Sequence, residues 1–132
     1  MIEIYTDGAA RGNPGKSACS FVFVENKKVI LLNAFYLGIS TNNTAEYKAI
    51  IKALEEAKKL SHNEIKVISD SKLVILQIRK KYKTKAEHLE ALNRKVLEIS
   101  KNFNKVEFEN VARENKYIQL ADKICNLLLD NS

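Results

Sequence analysis

Histidine, cysteine and proline are scarce in this chain: two His, two Cys and one Pro. Each scarcity excludes something. Two cysteines, Cys19 and Cys125, are too few for a disulfide scaffold or a thiolate metal site. They read as buried thiols in a core, with a single bridge between them as the alternative. His62 and His88 lie outside the motifs described below and read as surface residues. No apolar run reaches the roughly 18 residues that span a bilayer. The opening MIEIYTDG has no signal-peptide pattern. A soluble, cytoplasmic, monomeric protein with one domain, residues 1–132, is expected. The lack of a Gly-Lys-Ser/Thr sequence argues against a phosphate-binding hydrolase using Gly12-Asn13-Pro14-Gly15 as its cradle.

What is there is a globular composition, 45% hydrophobic, carrying a net charge of +6. A basic domain is compatible with a nucleic-acid partner. Ile2 to Thr6 reads as a short strand. Gly8 to Lys16 holds three of the four glycines and the only proline, so it reads as a loop. Ser17 to Val24 and Val29 to Leu37 read as two strands joined by a turn over Glu25 to Lys28. Ala45, Ala49, Ile50, Ala53, Leu54 and Ala57 recur at helical spacing, and this helix ends near Leu60. Ile65 to Ser69 is a short apolar strand. Helices follow from Asp70-Ser71 and around Leu89, Leu92, Val96 and Ile99. Val106 to Val111 reads as the last strand and Tyr117 to Leu129 as the last helix.

This order, βββαβααβα, defines an α/β fold. Right-handed crossovers make the fourth strand parallel to the first and the fifth parallel to the fourth. The simplest result is a five-stranded mixed sheet of order 3-2-1-4-5, flanked by helices on both faces. Asp7 is then expected just past the carboxyl end of strand 1, and Asp70 just past that of strand 4. Ligands of open α/β sheets bind at such strand ends.

Four acidic residues stand at the junctions of apolar segments, and each has a bland explanation. Asp7 precedes Gly8, a common turn pair. Glu46 stands three residues after Asn43, as in a capping box. It also shares a helix face with Ala49, Ile50 and Ala53, which points it inward. Asp70 reads as an ordinary N-cap. Asp122 is harder to dismiss. It lies in or beside the stripe formed by Ile118, Ala121 and Cys125, and no Lys or Arg shares that face. A buried, unpaired carboxylate costs several kcal/mol, about 2–7 for a polar group alone, or it takes up a proton. Four such groups brought together call for a cation. Oxygen ligands without Cys or His favour Mg²⁺ or Mn²⁺ over Zn²⁺. Two ions would clamp the attacking and leaving oxygens of a phosphodiester.

These residues also carry a resemblance. Tyr5-Thr6-Asp7-Gly8 followed by Arg11-Gly12-Asn13-Pro14-Gly15, then Thr41-Asn42-Asn43-Thr44-Ala45-Glu46, Ser69-Asp70-Ser71 and Ala121-Asp122, resemble type 1 ribonuclease H over essentially the whole chain. The first two motifs are highly specific; the others count through their order. The resemblance implies the ribonuclease H-like fold. It further implies a two-metal endonuclease that cuts the RNA strand of an RNA/DNA hybrid, leaving 5′-phosphate and 3′-hydroxyl ends. In the family, the residue matching Asp7 bridges two metals. Those matching Glu46 and Asp70 support the leaving-group metal, and the one matching Asp122 supports the metal that activates water. Substrate contact is implied for Gly8, Arg11, Gly12, Asn13, Asn42, Asn43 and Ser71. Glycines suit close backbone approach to the RNA strand, whose 2′-hydroxyl distinguishes it from DNA.

Three departures from the family stand out. Many members carry a mobile histidine before the last aspartate; here Arg113 is the expected occupant, and its permanent charge does not shuttle protons. An Asn often stands four residues before that aspartate; here the position is Ile118, and the nearest Asn is Asn115. The extra basic helix of some bacterial members is missing. The run Arg79 to Lys85, including Lys80 and Lys81, is either a grip on DNA phosphates or a solvated charge run. Double-stranded RNA as the substrate and a non-catalytic hybrid-binding module are the alternatives.

Overall fold

The computed structural model describes residues 1–132. Five strands and four helices follow one another as β1 (Ile2–Gly12), β2 (Gly15–Glu25), β3 (Lys28–Ser40), α1 (Asn42–Lys59), β4 (Glu64–Ser69), α2 (Lys72–Ile78), α3 (Glu87–Ser100), β5 (Lys105–Asn110) and α4 (Lys116–Asp130). The sheet order is β3-β2-β1-β4-β5, as the sequence predicts. β2 is antiparallel to β1 and β3, while β4 is parallel to both β1 and β5.

Alternation along the strands sorts side chains onto two faces. Ile2, Ile4, Phe21, Phe23, Ile65 and Val67 pack under α1, α2 and α3 in the larger core. Tyr5, Val22, Val24 and Ile68 face α4 in the smaller one, with Ile118 and Ala121. Cys125 packs on that second face, against Ala18. Cys19 neighbours Ala18 on β2 and so points to the α1 face. The two thiols are free and lie on opposite sides of the sheet, so the alternative of a bridge is not realised.

The largest departure from the sequence reading concerns Gly8 to Lys16. The segment is not a loop. β1 and β2 run on as a hairpin to Gly12↔Gly15, leaving only Asn13 and Pro14 in the turn. Small residues are needed there because α1 crosses close to β1. A Cβ on Gly8 would overlap the backbone carbonyl of Ala45. Gly12 has φ +110°, open to glycine and strained for other residues. Asp7 therefore stands inside β1, opposite Ser20, rather than beyond the strand's end. The β1–β4 pairing stops at Thr6↔Ser69, so β1 loses its parallel neighbour at Asp7. Asp70 follows at the end of β4, as predicted.

Candidate active site

The notch where β4 ends is lined by Asp7, Glu46, Asp70 and Asp122, together with Gly8, Ala9, Ala10, Asn42, Ser71, Arg113 and Asn126, in a cleft of about 420 Å³. Each carboxylate arrives by a different local rule. Asp7 points to the α4 face because it alternates with Tyr5, which packs there. Glu46 comes from the first turns of α1. The N-cap of that helix is Thr41, whose Oγ1 accepts from Thr44 N at 3.2 Å. The Asn43–Glu46 capping box is not formed, because β3 runs to Ser40 and the helix starts before Asn43. Glu46 instead accepts a hydrogen bond from Gly8 N at 2.8 Å, which ties α1 to β1 at the site. Asp70 is not a cap either: Ser71 caps α2, its Oγ accepting from Val74 N at 3.4 Å. Asp122 is presented by α4, and Ser20 helps to seat it. Ser20 lies opposite Asp7 and donates from Oγ to the Ala121 carbonyl at 2.6 Å.

Oxygens of Asp7, Glu46 and Asp70 lie within 4.8 Å of one another. Asp122 stands outside that tight group but lines the same cleft. The electrostatic result is severe. Asp7 is pushed up to about 8, by burial first and then by the charges of Asp70 and Asp122. Glu46 lies well above the ordinary glutamate range, through burial first, then Asp7 and Asp70, with the Gly8 N–H and Arg113 pulling the other way. Asp70 is raised by burial, against the opposing pull of Arg113. Asp7 Oδ2 is buried without any hydrogen-bond partner. An orphaned carboxylate oxygen among other carboxylates is unfavourable as it stands and well matched to a hard divalent cation.

The structure distributes the other sequence candidates. Arg113 lines the cleft together with Asp70 and Asp122. Gly8, Asn42 and Ser71 line it too. Asn42 Oδ1 accepts from Ala10 N at 2.9 Å, and its own N–H donates to Asn13 Oδ1 at 3.1 Å, so these two asparagines lock α1 to the hairpin. Asn43 and Gly12 do not line the cleft. Arg11 is already engaged: its Nη2 lies 2.6 Å from Asp130 Oδ1 and donates to Asn126 Oδ1 at 3.1 Å. Asn115 caps α4, with Oδ1 accepting from Tyr117 N and Ile118 N. Ile118 is buried in the core and offers no polar group to the cleft. Lys80 and Lys81 are not brought to the carboxylates. They line a separate groove of about 580 Å³ with Gln77, Tyr82, Lys83, Thr84, Glu90, Asn93 and Arg94. His88 is exposed and His62 packs near Phe23, both away from the cleft.

Sequence reasoning missed two residues of the site. Ser20 gave no signal, since a serine in an apolar strand is unremarkable. Asn126 did give one. It stands four residues after Asp122, where helix side chains meet, and its Nδ2 donates to Asp122 Oδ1 at 3.1 Å.

Residues 5–127 match the model of the family described as "Reverse transcriptase-like". A bifunctional protein of Mycobacterium tuberculosis is 33% identical over 98% of the chain, which spans 35% of that relative's length. A ribonuclease H of Thermoanaerobacter pseudethanolicus is 32% identical, over 94% of this chain and 86% of its own. The crystal structure of ribonuclease H1 from Halobacterium salinarum superposes with a TM-score of 0.95 at 32% identity, covering 99% of this chain and 98% of that one. A ribonuclease H1 solved in complex with an RNA/DNA hybrid, LC11-RNase H1, gives 0.86 at 31% identity, covering 98% and 99%.

Proposed function

The chain belongs to the ribonuclease H family, and from that premise we propose that it is an endonuclease hydrolysing the RNA strand of RNA/DNA hybrids, leaving 5′-phosphate and 3′-hydroxyl ends. The observation that carries the proposal is the buried, unpartnered Asp7 Oδ2, on a residue whose carboxylate groups with those of Glu46 and Asp70 within 4.8 Å. No role in stability explains it, because like charges in such a place disfavour the fold.

Asp7, Glu46, Asp70 and Asp122 would hold two Mg²⁺ ions, with Mn²⁺ as a substitute. Such a pair supplies Lewis-acid stabilisation of the attacking and leaving oxygens. The chain's own groups do the rest. Arg113 holds a phosphate against the cleft and offsets part of the carboxylate repulsion. The Gly8 to Gly12 backbone is free of bulky side chains near α1, which suits close approach of the RNA strand. Asn42 and Asn43 present α1 to the minor groove, and Ser71 and Asn13 border the path. Further along, the groove holding Lys80 and Lys81 grips phosphates of the DNA strand, as a sequence-independent, salt-sensitive contact.

A substrate panel tests this reading: RNA/DNA hybrid, double-stranded RNA and single-stranded RNA, each with Mg²⁺ and Mn²⁺ titrated. Preferential, metal-dependent cleavage of the hybrid is expected, together with its loss in Asp7→Asn. Cleavage by Asp7→Asn at the wild-type rate, or tight hybrid binding by the native chain without turnover, overturns it.

A further inference from the structure

Arg11 and Asn126 are not where a simple substrate-binding role would leave them. Arg11 sits near the tip of the β1–β2 hairpin, and Asn126 one helical turn after Asp122 on α4. Between them runs a continuous chain of polar contacts. Asp130 Oδ1 meets Arg11 Nη2 at 2.6 Å. The same nitrogen donates to Asn126 Oδ1 at 3.1 Å and to the Asn126 carbonyl at 3.3 Å. Asn126 Nδ2 then donates to Asp122 Oδ1 at 3.1 Å and to the Asp122 carbonyl at 3.0 Å.

The direction of this chain is fixed by chemistry. A guanidinium only donates, so the Asn126 amide must turn its oxygen toward Arg11. Its NH₂ then faces Asp122, an acceptor. The amide holds the carboxylate without neutralising it, which a lysine or arginine at position 126 would do. Arg11 also polarises the amide and strengthens its N–H donors. Stability does not account for the arrangement. The Arg11 and Asp130 side chains are 44% and 57% exposed, and ion pairs so open to solvent contribute little.

We propose that Asn126 is a positioning residue that aims Asp122 at the cation site, and that Arg11, anchored by Asp130, sets the orientation of Asn126. This deepens the reading of the cleft as a metal-dependent nuclease site and rests on it. It gives Arg11 a role inside the protein instead of on the substrate. A hydrogen-bond partner behind a metal ligand typically matters by 10–100-fold in metal affinity or activity.

The test uses Asn126→Ala, Arg11→Met, Arg11→Lys and the double variant. Three quantities are read: Mg²⁺ binding by calorimetry without substrate, the Mg²⁺ concentration giving half-maximal cleavage, and the salt dependence of hybrid binding in EDTA. Asn126→Ala is expected to weaken Mg²⁺ binding about tenfold and raise the half-maximal Mg²⁺ by a similar factor. KM at saturating Mg²⁺ is expected to stay within about twofold, and the EDTA melting temperature to change little. Arg11→Met should shift Mg²⁺ binding the same way by about threefold, Arg11→Lys should recover most of that, and the double variant should match Asn126→Ala alone. Unchanged Mg²⁺ binding in Asn126→Ala overturns the proposal. So does an Arg11→Met variant with intact Mg²⁺ binding, a raised KM and a salt slope lower by about one, the mark of a lost phosphate contact. Calorimetry needs no substrate, so failure of the hybrid-nuclease reading and failure of this one are told apart.

Discussion

Replacing Asp7 with asparagine removes the charge that the folded chain accommodates least well. In the absence of divalent cations the variant should be more stable than the parent. The reasoning follows protons. In the folded chain Asp7 titrates near 8, against an ordinary 3.8. The fold therefore holds this proton more tightly than the unfolded chain does. The stabilisation from that proton is fully present below about pH 4 and is lost as pH rises through 8. About four pKa units at 1.36 kcal/mol each would set a ceiling near 6 kcal/mol. The real figure is smaller, because Asp7, Glu46 and Asp70 titrate as a group and share the penalty. A gain of about 2 kcal/mol is expected for Asp7→Asn at pH 8.5, worth roughly 6–8 °C in melting temperature for a chain of this size. The assay is thermal denaturation in EDTA from pH 4 to 9, repeated with 10-fold steps of Mg²⁺. The parent should lose stability with rising pH and recover it with Mg²⁺. The variant should show a flatter pH curve, a smaller Mg²⁺ response and no cleavage. A parent whose EDTA stability is level across this range, with the variant no more stable at pH 8.5, would refute the account of the cleft as a repulsive cage.

Three further outcomes are expected. Gly8→Ala should destabilise the fold by about 3 kcal/mol, read by urea denaturation, because the new methyl meets the Ala45 carbonyl; a loss below 0.5 kcal/mol would show that α1 is free to shift. Tyr47→Phe should cost about 2 kcal/mol in the same assay, since the Tyr47 hydroxyl donates to Gln77 Oε1 at 2.8 Å and accepts from Asn93 Nδ2 at 3.1 Å, both in the interior. Cys19 and Cys125, each pushed up to about 12 by burial, should resist a thiol-specific disulfide reagent in the native state and both react in denaturant; rapid labelling of the native chain would contradict their placement.

The sheet order was readable because each step rests on a strong signal. Apolar strands alternate with periodic helices, and right-handed crossovers leave few arrangements. What the sequence hid lies mostly at the site. Gly8 to Lys16 looks like a loop by local propensity, since glycine, alanine and proline are poor strand formers. Pairing with β2 and the close passage of α1 override that preference, and the small residues are there for the crossing. Asn43 and Glu46 have the right spacing for a capping box, yet Thr41 captures the cap and releases Glu46 for Gly8. For Arg11 the resemblance implies a substrate contact; its partner Asp130 is 119 positions away, beyond any local pattern. Asp122 signalled its need for a partner correctly, but the partner it found in the chain was an amide rather than a cation.

The two faces of the sheet are unequally covered: α1, α2 and α3 share one, and α4 alone closes the other. Asp122 and Asn126 belong to α4, and Arg113 to the segment leading into it. Docking of α4 thus completes the site. A chain that has assembled β1 to α3 already holds Asp7, Glu46 and Asp70, yet it lacks the fourth carboxylate and the cleft's arginine. Detachment of α4 from an otherwise intact fold has the same consequence. Completion of the cleft is thereby coupled to the docking of a single helix, so a chain with α4 detached holds only three of the four carboxylates.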